Sequence, residues 1–565
     1  MALFTKWAKD LDKACPHNYH PRPSFKRESF TILNGEWDFA LSKERDVAEL
    51  DKKIIVPFCP ESALSGIEIH PASDEYMHYR RGFTSPEIPT GGRLFLHFGA
   101  VDQECEVFLN SVRVGENRGG YLPFTVDITD AVRKGENTLY VRVRDTLDKK
   151  YPYGKQTEHR GGMWYTPVSG IWQTVWLECV PENAIEEIRI TPSLDGAMIT
   201  VIGGAESKLL TLSSGEVFSF CGNEFFISPA EIHLWSPEDP YLYDFTLECG
   251  EDRIESYFAL RTVGVEQTNG RRRLTLNGKP YIFNGLLDQG YYPDGLFMPA
   301  TVDGYIYDVK LAKELGFNML RKHIKIEPDI FYYLCDKMGI AVFQDMVNNG
   351  SYSFLRDTAL PTIGLQKMSD RLLHRCRESR RIFTETMLGT AELLYNHPSV
   401  VYYTIFNEGW GQFLADEAYD TLKRKDETRI IDSTSGWFRR ERSDVDSRHV
   451  YFKALRLKGR DERPAVISEF GGYSYREEGH LFGKKNYGYR LFGSREEFEN
   501  AFIELYEDEV IPLIKDGADA FVYTQLSDVE DETNGLCTYD REVVKLSPER
   551  CREVMYKLYS HINDK

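Results

Sequence analysis

Apolar and polar side chains alternate in short runs through residues 1–181. LFLHFGAVDQECEVFLNSVRV (94–114) shows it best, with a break at Asn110-Ser111. TVDITDAV, NTLYVRVRDT and IWQTVWLECV follow after brief turn signals. A period of two bounded by Gly, Asn and Asp predicts strands with one buried face. Many short strands of this kind predict a β jelly roll or sandwich. Residues 182–266 repeat the grammar in EIRITPSL, AMITVIGG, KLLTLSSG, EVFSFCG and LYDFTLECG, with YFALRTVGVEQ as the expected closing strand. Strands at this spacing predict a small immunoglobulin-like β-sandwich.

From 267 to 565 the period changes. Short apolar runs alternate with helical patterns: YIFNGLLD and a helix around 302–315, NMLRKHI and a helix around 328–338, AVFQDMV and a helix around 370–396. VVYYTIFNE and a helix around 414–424 come next, then IIDSTSGW and HVYF, AVISEF and a helix around 495–515, and FVYTQL with a helix around 548–562. These eight strand candidates predict a C-terminal (β/α)8 TIM barrel. A doubly wound sheet is the rival, but the chain has neither GxGxxG nor GxxxxGK[ST]. GxSxG and HExxH are absent too, which removes the usual signatures of serine hydrolases and zinc proteases.

Composition narrows the picture further. Charged side chains sum to −19, which repels phosphate backbones and argues against nucleic acid. No apolar run approaches the ~20 residues of a bilayer span, so no membrane association is expected. The first residues lack the apolar core of a secretory signal, and the ten cysteines form no CxxC. Reduced thiols and a cytoplasmic location are the expectation.

Chemistry in such barrels sits at the C-terminal ends of the strands. VYYTIFNEGW ends in Asn407-Glu408, and AVISEFGGYS carries Glu469. Glycosidic bond cleavage needs a proton for the leaving oxygen and a nucleophile or base on the opposite face, so two carboxyl groups at one mouth suit it. Each Glu alone is equally read as a strand end or a helix cap.

NEGWGQ, SEFGGYS and YTQLSDVEDETNGLCTYDR resemble the motifs of family 2 glycoside hydrolases, which include β-galactosidases, β-glucuronidases and β-mannosidases. SGIWQTVWLE (169–178) resembles the end of that family's jelly roll, and NGKPYIFNGLLDQGYYPDG (277–295) its entry into the barrel. The resemblance implies a retaining exo-β-glycosidase. Glu408 matches its general acid/base, Glu469 its nucleophile, and Asn407 its partner for the sugar 2-hydroxyl.

Further candidates for substrate binding follow from position. Asp288 ends the first strand candidate and offers acceptors to sugar hydroxyls. Arg321 and His323 end the second, although the family's Tyr-Pro is here Ile324-Lys325. His449 and Tyr451 match a strand-six position, with Tyr451 able to orient the nucleophile; a core role is the alternative for His449. Trp410, Trp437 and Tyr473 are aromatic candidates beside the strand ends, Gln525 ends strand eight, and Trp164 lies in the jelly-roll loop HRGGMWYTPVSG, which resembles a loop reaching the barrel mouth. This loop and those after strands three and eight are expected to close the pocket.

The sugar is less legible. Family β-glucuronidases carry Asn-x-Lys after the last strand, where this chain has Asn534-Gly535-Leu536. The run Arg321-Lys322-His323-Ile324-Lys325 offers carboxylate recognition by another route, or a plain charge pair. A neutral β-galactoside is the first expectation, a β-glucuronide or β-galacturonide the second. A catalytically inactive carbohydrate-binding protein is the alternative from another class. Small glycosides or oligosaccharide ends are the expected partners. The chemistry requires no metal or cofactor, and a homo-oligomer is open.

Overall fold

A computed structural model describes residues 3–268, 270–360, 369–457 and 462–561. The N-terminal part is a jelly roll of a six-stranded and a four-stranded antiparallel sheet. Its core contains Trp37, Phe39, Tyr79, Leu96, Val107, Val141 and Leu177. The strand Glu104–Leu109 buries every second residue. It turns into Val112–Arg118 through Asn110 (φ 51) and Ser111 (φ 71). Two left-handed residues give a hairpin turn whose twist matches its strands.

The second part is an immunoglobulin-like sandwich of a three-stranded and a four-stranded sheet over Ile188, Ile199, Leu210, Phe245 and Ile254. Its last strand is Asp252–Phe258, earlier than the alternation suggests. Val263–Thr268 belongs instead to a small sheet with Arg271–Leu276. The link between them is tied to the barrel, because the buried Arg261 donates to the carbonyls of Pro398 and Val400.

The barrel strands are β1 (Phe283–Asp288), β2 (Met319–Lys322), β3 (Ala341–Asp345), β4 (Val400–Asn407), β5 (Ile430–Ser435), β6 (Asp446–Val450), β7 (Ala465–Gly471) and β8 (Ala518–Thr524). All neighbours pair in parallel in the order β5-β4-β3-β2-β1-β8-β7-β6. Side chains close the seam between β5 and β6: Ser435 Oγ lies 2.7 Å from His449 Nε2 and 3.1 Å from Ser468 Oγ. The interior is filled by Phe283, Leu287, Met319, Phe343, Val401, Tyr402, Val466, Ala520 and Val522, with Leu274 of the small sheet joining the same cluster. A packed barrel leaves the strand ends, not a pore, to do chemistry.

Around it run α1 (Asp303–Glu314), α2 (Asp329–Met338), α3 (Arg377–Leu393), α4 (Ala415–Lys425), α5 (Arg495–Glu504), α6 (Ile511–Asp516) and α7 (Pro548–Ser560). The pattern at 495–515 suggests one helix, but a π-helical turn (Leu505–Val510) joins α5 to α6. The helix expected from 370 begins at Arg377, after a short 3-10 turn. Part of the expected pocket-closing loop after β3, residues 361–368, lies outside the described residues.

Candidate active site

Strand alternation decides which side chains reach the mouth. In β2, Met319 points into the barrel and Leu320 toward the helices. Arg321 and His323 continue the inner row, and Lys322 the outer one. Arg321 is the hub of the site. Its guanidinium donates to Glu469 Oε1 (3.0 Å), Asp345 Oδ1 (2.9 Å), Asn407 Oδ1 (2.9 Å) and the Ser468 carbonyl (2.8 Å). His323 Nδ1 lies 2.7 Å from Asp345 Oδ2.

In β7 the plain alternation would turn Glu469 outward with Ile467. The ladder to β8 shifts register between Ile467 and Phe470. An irregularity of this kind re-aims a side chain, and here Ser468 and Glu469 both face inward. The Tyr451 hydroxyl donates to Glu469 Oε2 at 2.5 Å and lies 2.9 Å from Thr524 Oγ1. Burial pushes the Glu469 carboxyl up, but His449, Arg321, His323 and the Tyr451 hydrogen bond outweigh it and hold it at about 2. Burial and the Glu469 charge keep the Tyr451 phenol well above its usual value, so it remains a donor.

Glu408 follows β4 in the left-handed region (φ 50), and Gly409 after it also has positive φ. A Cβ on Gly409 would sit 2.3 Å from the Phe438 ring, so only glycine fits. This tight turn presents Glu408 to His449, whose Nδ1 lies 2.8 Å from Glu408 Oε1. Carboxylate oxygens of Glu408 and Glu469 and the His449 Nδ1 all lie within 4.8 Å of one another. Each also holds a protein contact, Glu469 to Arg321 and Tyr451, and Glu408 and His449 to each other. Asn407 Nδ2 is buried with no hydrogen-bond partner among the described residues, a donor left for a ligand.

The jelly roll supplies an aromatic wall. Trp164 stacks on Trp410 (5.2 Å, 24°), and Tyr352 meets both edge-on. Trp410 is 1% exposed, so Trp164 covers the face that Trp410 would have offered a sugar. Trp437 stands edge-on to His449 at 5.7 Å. It lines a cavity of about 460 Å³ with Gly436, Arg439, His449 and Lys453. Gln525 is buried beside the mouth, donating to Glu532 and Asn534 and accepting from Gln289.

Two expected residues are placed elsewhere. Asp288 lies in the outer row of β1, below the mouth. Its carboxylate pairs with Lys322 at 2.5 Å and accepts the Gly290 amide at 2.9 Å. It is part of a buried ion-pair cluster rather than a free acceptor for sugar hydroxyls. Tyr473 packs against Phe492 and under Arg490 on the helix side of β7. Tyr489 takes the inner place and stacks on Tyr451 at 4.0 Å. The lysines of the basic run also face outward. Lys322 meets Glu327 at 2.8 Å, and Lys325 meets Glu327 at 2.8 Å and the Gly290 carbonyl at 2.6 Å, so neither is free for a carboxylate. Asp345 was open to the strand-end rule that singled out the two Glu, since it closes AVFQD. Tyr489, Ser435 and Lys155 carried no such signal.

Comparison with known proteins agrees with this architecture. The galactose-binding-like domain of glycosyl hydrolase family 2 matches residues 56–171, and the TIM-barrel domain of that family matches residues 268–548. A β-galactosidase of Thermoanaerobacter pseudethanolicus is 28% identical over 296 residues, 47% of this chain and 39% of that protein. A β-galactosidase of Priestia megaterium is 23% identical over 490 residues, 79% of this chain and 45% of that protein. The chain thus spans less than half the length of these two relatives. A β-glucuronidase from an uncultured Clostridium sp. superposes with a TM-score of 0.73 at 18% identity, over 95% of this chain and 99% of that one. A β-galacturonidase from Eisenbergiella tayi, solved with galacturonate, gives 0.69 at 19% identity, over 96% and 99%. At such identities the structural likeness is one of fold. With the jelly roll and the barrel each matched by the family's own domains, the chain belongs to family 2 of the glycoside hydrolases.

Proposed function

We propose that the chain is a retaining exo-β-glycosidase that releases terminal β-linked sugars through a glycosyl-enzyme on Glu469. The observation that carries this reading is that one oxygen of Glu408 and one of Glu469, two carboxylates with different partners, lie within 4.8 Å of each other. Retaining pairs stand about 5–5.5 Å apart, whereas an inverting pair needs about 6.5–9.5 Å to admit water between them.

Glu469, ionised and fixed by Arg321 and Tyr451, attacks the anomeric carbon. Glu408 gives its proton to the departing oxygen, then takes one from the water that hydrolyses the intermediate. His449 suits both roles. Its Nδ1 lies 2.8 Å from Glu408 Oε1 and its Nε2 2.7 Å from Ser435 Oγ, so the ring orients the Glu408 carboxyl in either protonation state. The free Asn407 Nδ2 is placed to hold the sugar 2-hydroxyl. The cavity beside Trp437 and His449 is the exit for the aglycone. Trp164 of the jelly-roll loop stacks on Trp410 beside the mouth, which favours clipping single residues from small glycosides. The reaction as written asks for no metal or cofactor.

The curated relatives named above are β-galactosidases, in line with the neutral sugar expected from sequence, while the structural neighbours are a β-glucuronidase and a β-galacturonidase. All share one reaction and differ in the side chains that meet the sugar's C5 substituent.

Hydrolysis of p-nitrophenyl β-galactoside, glucuronide, galacturonide, glucoside, mannoside and arabinoside tests the reading, with Glu469→Ala alongside. One strong signal that falls by about 10⁴-fold or more in the variant is expected. Silence across the panel from folded protein contradicts it and favours a carbohydrate-binding protein on the same scaffold.

A further inference from the structure

Lys155 lies on the jelly-roll loop that enters the barrel mouth. The loop passes so close to β2's extension that a Cβ on Gly154 (φ +65) would sit 2.9 Å from the Ile324 carbonyl. The Tyr165 amide donates to the Lys155 carbonyl at 3.0 Å, which fixes its backbone. The side chain is 9% exposed. Its ammonium sits 5.5 Å from the Tyr165 ring centre and 5.8 Å from that of Trp410, the residue two beyond Glu408. Its charge bears on His323 at the end of β2 and on Glu532 after β8. It thus stands among the groups at the barrel mouth, near Trp410, His323 and Glu532.

No hydrogen-bond acceptor or ion-pair partner engages this ammonium among the described residues. Glu532, the carboxylate in its field, accepts from Gln525 at 2.9 Å. Nearly buried lysines are normally paired, as Lys322 and Lys325 are here. An ammonium has three donors and no acceptor. A neutral sugar offers it hydroxyl oxygens but no opposite charge. A carboxylate offers two anionic oxygens and neutralises it.

We propose that Lys155 recognises a carboxylate on the terminal sugar and that the preferred substrates are β-linked uronic acids. This rests on the glycosidase reading above. It replaces the neutral β-galactoside expected from the sequence, and it assigns to the jelly roll a task that the outward-facing Lys322 and Lys325 do not perform.

The test compares kcat/KM for p-nitrophenyl β-glucuronide and β-galacturonide with the neutral sugar of each configuration, in wild type, Lys155→Met and Lys155→Arg of unchanged Tm. Wild type is expected to favour one uronide by about 100-fold or more. Lys155→Met should lose at least about 30-fold more on that uronide than on the neutral sugar, with Lys155→Arg recovering part of the difference. A wild type that prefers the neutral sugar, or a Lys155→Met that lowers both alike, overturns the proposal and leaves the glycosidase reading standing. If nothing is hydrolysed, calorimetric binding of free glucuronate and galacturonate decides. Binding that vanishes in Lys155→Met keeps the assignment while the glycosidase reading falls, and no binding to wild type overturns it.

Discussion

Burial alone would protonate Glu469 more readily than an exposed carboxyl, and four neighbours reverse that. His449, Arg321 and His323 act through charge, and Tyr451 through a hydrogen bond to the ionised form. A carboxyl held at about 2 is ionised throughout the neutral range, so it sets no acid limb near neutrality. Tyr451→Phe removes one of these supports and moves the Glu469 carboxyl up. The expected outcome is a fall in kcat of about 10–100-fold. An acid limb in kcat/KM should also rise toward higher pH, read from a profile between pH 3 and 8. An unchanged profile would mean that His449, Arg321 and His323 hold the charge without help. Glu408 is fixed differently, by a left-handed turn that only Gly409 can follow and by its 2.8 Å contact with His449 Nδ1.

At the scale of elements, β2 shows how far the sequence carries. The alternation in NMLRKHIK separates Arg321 and His323 from Lys322, and the structure keeps that separation. Glu408 was readable because it directly follows an apolar run. Glu469 was readable as a residue but not as an orientation, since strict alternation turns it outward and a register shift in the β7–β8 ladder brings it back. Asp288 failed for the converse reason: β1 is regular, so its last residue keeps the outer row with Leu286. Tyr473 failed because a two-residue pairing with Arg490 gives the inner position to Tyr489. The same layer of outer charges includes His397, which links β4's approach to α2 through Asp336 at 2.7 Å and Asp329 at 3.5 Å. Burial would lower its pKa, but Asp336 and Asp329 raise it from 6.5 to about 10. A raised folded-state pKa contributes stability that is whole below about pH 6.5 and is lost as pH rises through about 10. His397→Gln should therefore cost about 3 kcal/mol at pH 6, with the difference from wild type shrinking by pH 10. Denaturant unfolding at both values checks this, and a gap that does not narrow would remove the charge from the account.

For the whole molecule, the mouth belongs to two domains at once. An apolar cluster joins Trp7, Phe58, Tyr121 and Trp172 to Tyr291, Phe297, Ile326 and Tyr539 of the barrel. Polar contacts reinforce it: the Thr166 amide donates to Glu530 at 2.9 Å, and the Tyr153 hydroxyl to the Gly350 carbonyl at 2.7 Å. Trp164 and Lys155 reach the site only through this docking. Contacts spanning hundreds of residues leave no periodic trace, which is why the sequence names the jelly-roll loop by resemblance and says nothing of Lys155. The central claim for the assembled molecule is covalent catalysis on Glu469. The most direct measurement uses a 2-deoxy-2-fluoro β-glycoside of whichever sugar the panel identifies, followed by mass spectrometry of the digested protein. The account predicts a mass increase of one sugar per chain, located on the peptide containing Glu469 and absent in Glu469→Ala. A label on another residue, or no label with the α-anomer as first product, would contradict it.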